Sequence, residues 1–246
     1  MALHLLTWNL QGSAGVDVDA VAEVITDQAV DTVVLQEVQR AQAGALSRVL
    51  GLPRYRWTFK HWPVVSRAEG MAIMTGRAEA TFRTYVVRRA PWWSWRRRVG
   101  LDVTIPAADG SDPAYSVVCM HLSAHHAAAR RSREVELVLA RHGQGAAILA
   151  GDLNDGPDGP VPAVILGRGW ADAWTDRNGA VGGATNWTAG RREGRRPTQR
   201  LDYVFAPAGW SVRECRVVDA PLEHLAELSD HLPLVAVLEP SGGNDG

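Results

Sequence analysis

Eight polar residues stand where apolar runs begin or end, and their types are those used for metal binding and proton transfer. Asn9 closes the first run. Glu37 closes the second, in Leu35-Gln36-Glu37, and His121 ends the run that includes Val117 and Met120. Asp152 and Asn154 follow another in Gly151-Asp152-Leu153-Asn154. Asp202 sits in Leu201-Asp202-Tyr203, and Asp230 and His231 precede the last run in Ser229-Asp230-His231-Leu232-Pro233. Strand ends lie at the rim of a sheet, so these side chains are able to converge on one cleft. Singly, each has a plainer reading. Asn9 and Asn154 suit turns, Glu37 suits the solvated start of a loop, and His121 suits a hydrogen-bonded core histidine. Asp202 is harder to dismiss, because an unpaired carboxylate in a buried strand is costly. It needs a partner, and His231 is the candidate.

The elements that would carry these residues follow from the apolar pattern. Strands are expected at 3–8, 32–36, 55–60, 71–75, 80–87, 99–105, 116–121, 146–150, 201–205, 212–218 and 234–238. Helices are expected at 18–28, 42–50 and 126–142. Val18, Val21, Ala22 and Ile25 share one face of the first, and Asp17 and Asp19 are placed to cap it. Strands outnumber helices, so two apolar-faced sheets with helices outside would bury the pieces in an α/β arrangement of layers.

No composition break divides the 246 residues, which points to one domain over residues 1–240 followed by a polar, glycine-rich, disordered tail at 241–246. A net charge of −1 excludes a globally basic nucleic-acid-binding surface. Lys60 is the only lysine, so almost all positive charge is arginine. Its planar fork matches phosphate oxygens, although a GC-rich coding sequence produces the same bias. Cys119 and Cys215 lie in apolar runs and read as buried free thiols. The N-terminal residues read as a core strand rather than a secretory leader, and no run is long enough to span a bilayer. A cytoplasmic monomer is the resulting expectation.

Taken in order, Thr7-Trp8-Asn9, Gln36-Glu37, His121, Gly151-Asp152-Leu153-Asn154, Leu201-Asp202-Tyr203 and Ser229-Asp230-His231 closely resemble the endonuclease/exonuclease/phosphatase superfamily. The resemblance spans nearly the whole chain, and six motifs in family order are far more specific than one. It implies a four-layer α/β sandwich, with two central, mostly antiparallel mixed sheets flanked by helices. It also implies a hydrolase of phosphate esters. Glu37 matches the family's principal metal ligand, Asn9 the residue assisting at that metal, and Asp230 a supporting acid nearby. Asp152 and Asn154 match the pair that orients water and holds phosphate. His231 matches the histidine at the scissile phosphate, Asp202 its orienting carboxylate, and His121 a second phosphate-facing histidine. Glu69, before Gly70-Met71-Ala72-Ile73, stands where deoxyribonuclease-like members place a carboxylate beside that second histidine. A surface glutamate is the equal alternative. Oxygen donors without a cysteine cluster favour Mg²⁺, with Mn²⁺ as a substitute, over structural zinc.

The substrate is less defined, because members share a centre and differ in loops. The segment 88–98 combines Trp92, Trp93 and Trp95 with arginines. It suits base stacking and phosphate contact, a lipid headgroup layer, or a loop folded over the sandwich. The basic stretch 191–200 leads into Asp202, which brings Arg200 to the cleft border, with Trp187 just upstream. Val38-Gln39 follows Glu37 where exonuclease III-type members have Thr-Lys, which weighs against a dedicated abasic-site nuclease. Three readings remain: a phosphodiesterase or nuclease, a phosphatase or sphingomyelinase-like phospholipase C, and a non-catalytic binding protein of the same fold. Retention of Glu37, Asp152 and His231 weighs against the last.

Overall fold

Leu3–Asn9 (β1) alternates Leu3 and Leu5 with Leu6 and Trp8, and all four are buried. A strand buried on both faces must be covered on both. Thr32–Gln39 (β2) repeats the pattern, with Val34 opposing Val33 and Leu35. These two strands pair in parallel at the centre of a sheet. The computed structural model describes residues 2–59, 69–88, 98–106, 114–124, 127–143, 147–187 and 196–241.

The remaining strands are Arg54–Phe59 (β3), Glu69–Thr75 (β4), Thr81–Arg88 (β5), Arg98–Ile105 (β6), Tyr115–His121 (β7), Ala147–Asp152 (β8), Ala171–Asp172 (β9), Asp202–Ala206 (β10), Trp210–Val217 (β11) and Leu234–Pro240 (β12). They form two six-stranded sheets, ordered β11-β12-β1-β2-β4-β3 and β5-β6-β7-β8-β10-β9. Each sheet contains one parallel pair, β1 with β2 and β7 with β8, among antiparallel neighbours.

Leu5, Val34, Ile73, Val103, Val117 and Ala236 belong to the apolar layer between the sheets. Outside the first sheet lie Val18–Thr26 (α1), Arg40–Val49 (α2) and Leu222–Leu228 (α6), packed over Trp8, Leu35 and Val235. Outside the second lie Ala128–His142 (α3) and Pro160–Gly167 (α4), packed over Val118, Leu149 and Phe205. A short helix, Ala173–Asn178 (α5), packs Ala173 and Trp174 against the inter-sheet core. The result is the expected four-layer α/β sandwich.

Asp17 caps α1 by accepting from the backbone N–H groups of Asp19 and Ala20. Gln42 Oε1 accepts from Gln39 N at 2.9 Å at the start of α2. Helices α4, α5 and α6 lack a sequence signal long enough to read. They span only 8, 6 and 7 residues, and α4 is apolar throughout with two prolines. Both cysteines are buried and free. Of the two basic stretches, residues 89–97 with Trp92, Trp93 and Trp95, and residues 188–195, lie outside the described residues, as does the tail 242–246. Among the described residues, no helix is long and apolar enough to cross a membrane.

Candidate active site

Parallel pairing of β1 with β2, and of β7 with β8, brings the carboxyl ends of both pairs to one rim. Register fixes the next step. His121 pairs with Asp152 across β7 and β8, and Asp152 with Asp202 across β8 and β10, so three chemical residues lie side by side in one sheet. Asn9 ends β1 in the opposite sheet, and its Nδ2 donates to Asp152 Oδ2 at 3.1 Å.

Glu37 reaches the site by breaking the alternation of its strand. Gln36 pairs with Met71 and Val38 with Gly70, so Glu37 is the extra residue of a β-bulge. Val38 takes the next place on the helix-facing side after Val33 and Leu35. Glu37, at φ 52°, turns instead to place Oε1 3.4 Å from His121 Nε2. Left-handed backbone at a non-glycine residue costs about 1–2 kcal/mol, a strain that persists only where the surrounding structure holds it. Asn154 also has φ 52°, which its short amide tolerates. Gly151 (φ 136°) is required where β7 and β8 approach, because a Cβ there would lie 2.1 Å from Met120 O.

Asp152 is almost fully buried and held on every side. Its Oδ1 accepts from Asn154 N at 2.7 Å, and its Oδ2 from Asn154 Nδ2 at 3.2 Å and Asn9 Nδ2 at 3.1 Å. His121 Nε2 lies 3.7 Å from the same Oδ2. Burial pushes the Asp152 carboxyl up, to about 6. Asp202 and Glu37 act in the same direction, while His231 and the Asn154 N–H oppose it.

His231 and Asp202 form a second buried unit. His231 Nδ1 lies 2.7 Å from Asp202 Oδ2, and Thr185 Oγ1 donates to that oxygen at 2.6 Å. Burial alone lowers the His231 imidazolium. The negative charge and hydrogen bond of Asp202, with Asp152 and Asp230 beyond, outweigh it and push the ring up to about 10. The unit is tied to β1 twice: Ser229 Oγ donates to Asn9 O at 2.6 Å, and Trp8 Nε1 to His231 O at 2.8 Å.

Asn9, Glu37, Asp152, Asn154, Asp230, His231, Trp187 and Arg200 all line one open cleft of about 730 Å³. His121 and Asp202 lie behind its wall, each against a lining residue. Asn154 has both amide hydrogens engaged, on Leu122 O (3.2 Å) and Asp152 Oδ2 (3.2 Å), so it holds Asp152 rather than presenting a donor to the cleft. Arg200 is anchored by Asp172 at 2.8 Å and lies over the Tyr203 ring. The carboxylates beside His121 are Glu37 and Asp152, whereas Glu69 Oε1 accepts from Ser13 N at 2.8 Å.

Arg131 and Asp155 also line the cleft and form a 3.0 Å ion pair. Neither stood out in the sequence, since Arg131 is one of a run of helix arginines. Thr185 carries no signal of its own in the sequence, and its hold on Asp202 needs the fold.

Asn9, Glu37 and Asp230 supply oxygen donors, while the two thiols lie elsewhere in the core. Among the described residues no three His, Cys, Asp or Glu side chains form a metal cage. A hard dication that keeps much of its water needs only one or two such ligands, so the donor set fits one.

A family model described as the Endonuclease/Exonuclease/phosphatase family matches residues 6–231. No curated protein matches the chain in sequence. A functionally unknown conserved protein of Enterococcus faecalis V583 superposes with a TM-score of 0.76 at 18% identity, over 97% of this chain and 100% of that one. A mannosyl-6-phosphatase of Bacteroides thetaiotaomicron VPI-5482 gives 0.74 at 17%, over 96% and 99%. TDP2 of D. rerio, complexed with a single-strand DNA product, gives 0.69 at 18%, over 97% and 99%. With a family match over most of its length and a shared sandwich, the chain belongs to the endonuclease/exonuclease/phosphatase family and is a hydrolase of phosphoric esters.

Proposed function

We propose that the chain is a Mg²⁺-dependent phosphodiesterase whose single centre is the cleft shared by Glu37, Asp152 and His231. The observation that carries this reading is the pairing of two buried units at one cleft: a carboxylate fixed by three donated hydrogen bonds, and a histidine fixed by a carboxylate. Hydrolysis of an anionic ester needs an oriented water and positive charge on the phosphoryl oxygens.

Mg²⁺, held by Glu37 with Asn9 and Asp230, would supply positive charge at a phosphoryl oxygen. Asp152 orients the water and accepts its proton as the water oxygen bonds to phosphorus. The opposite phosphorus–oxygen bond breaks, and the leaving oxygen takes a proton from solvent. His231, with Nδ1 committed to Asp202, turns Nε2 toward the cleft and donates to a non-bridging oxygen as negative charge builds there. His121 spaces Glu37 from Asp152, and Asn154 locks Asp152. The cleft is open and large, which leaves room for a substituent on each side of the phosphorus.

Plasmid DNA, RNA oligonucleotides, sphingomyelin, inositol phosphates and a chromogenic diester, each assayed with Mg²⁺ and with EDTA, test the reading. Metal-dependent cleavage of diesters is expected. Turnover confined to monoesters would replace it with the phosphatase reading.

A further inference from the structure

A second groove, of about 630 Å³, lies between α2 and the edge strand β3, beside the catalytic rim. Its helical wall carries Arg40, Gly44 and Arg48, four residues apart and therefore on one face. Its strand wall carries Tyr55, Trp57 and Phe59, two residues apart and therefore on one side of β3. Gly44 keeps the groove open: the Tyr55 hydroxyl lies 3.2 Å from where a Cβ would stand. Trp57 and Phe59 pack edge to face, with centroids 4.5 Å apart.

The groove is joined to the centre. Trp57 Nε1 donates to Val38 O at 2.8 Å, one residue beyond Glu37, and Phe59 pairs with Gly70, which also pairs with Val38. From that end, Tyr55 lies roughly 13 Å away along the strand, and Arg48 lies roughly 12 Å from Arg40 along the helix. No carboxylate lines the groove among the described residues, and neither Arg40 nor Arg48 has an ion-pair partner among them.

We propose that this groove binds the single-stranded polynucleotide flanking the scissile phosphate, with a base stacking on Tyr55 and backbone phosphates meeting Arg40 and Arg48. Aromatic faces with interleaved arginines along a channel are the physical requirement for sequence-tolerant single-strand binding. Tyr55 is 41% exposed on one wall of the groove and faces the arginines of the other, which suits a strand lying between two walls better than a bilayer surface. The inference rests on the phosphodiesterase reading and names the substrate class of that centre.

Three variants test it: Arg40→Ala/Arg48→Ala, Tyr55→Ala, and Gly44→Leu, which fills the groove while improving helix propensity. Fluorescence anisotropy with a short phosphorothioate-linked oligothymidylate in Mg²⁺ reads binding, and a small chromogenic diester reads the centre. Each variant is expected to bind the oligonucleotide at least about fivefold more weakly, with kcat/KM on the small diester unchanged. The double arginine variant should also lower the salt dependence of log K by about 1.4, roughly 0.7 per phosphate contact. Oligonucleotide affinity unchanged in all three overturns the proposal. So does equal loss on the small diester, or tighter binding of phosphatidylserine vesicles than of the oligonucleotide. Failure of the small diester with wild-type protein would instead strike the phosphodiesterase reading.

Discussion

His231 Nδ1 and Asp202 Oδ2 stand 2.7 Å apart, with side chains almost wholly excluded from water. That pair fixes which ring nitrogen faces the cleft and keeps the ring cationic. Asp202→Asn removes the charge while keeping the shape. Turnover is expected to fall on the order of 10³-fold, with an unchanged circular dichroism spectrum. A loss smaller than tenfold would show that the pair has no part in the reaction.

Thr185 donates to the same Asp202 oxygen, while Asp202 Oδ1 has no hydrogen-bond partner among the described residues. A carboxylate with one oxygen unsatisfied is sensitive to losing a donor on the other. Thr185→Val should lower stability by about 1–3 kcal/mol and lower turnover, and Thr185→Ser should restore both. Urea midpoints and kcat for the two variants decide it. Equal behaviour of Val and Ser would mean that the Thr185 hydroxyl has no separate role.

Glu37 combines the proposed metal-binding position with a backbone that favours glycine. Glu37→Gly relieves the positive φ, so Tm should hold or rise, while the Mg²⁺ concentration needed for half-maximal rate should rise at least tenfold. A lowered Tm together with an unchanged Mg²⁺ requirement would contradict the assignment of strain to function at this residue.

Acid sensitivity has a source away from the centre. His142, at the end of α3, meets Tyr85 Oη at 3.2 Å and Asp102 at 3.6 Å. Burial, and then the Arg141 guanidinium, push its ring from 6.5 down to about 4. The unfolded chain therefore binds this proton first. The contribution of neutral His142 to stability is full above about 6.5 and falls as pH drops toward about 4. His142→Gln should flatten the urea midpoint against pH in that window, and curves parallel to wild type would exclude His142 as the source.

Much of this centre was legible in the sequence because strand ends are marked by apolar runs that stop at a polar residue. Asn9, Glu37, Asp152, Asp230 and His231 stood out for that reason, and all line one cleft. The bulge was hidden. Simple alternation sends Glu37 to the helix-facing side with Val33 and Leu35, and only the pairing with β4 shows Val38 taking that place. The pairing of Arg131 with Asp155 was equally hidden, because ion pairs between α3 and a distant loop leave no periodic trace. The short helices α4 to α6 are set by tertiary packing, not by propensity. The placing of Glu69 on Ser13 N depends on how the turn after β1 folds back, which residue spacing does not encode.

The most direct measurement is Mg²⁺-supported turnover of a chromogenic phosphodiester by wild type and Asp152→Ala. The wild type should be active, silenced by EDTA and restored by Mg²⁺. The variant, still folded, should be slower by about three or more orders of magnitude. Near-normal turnover by Asp152→Ala would contradict the placing of the hydrolytic centre in this cleft.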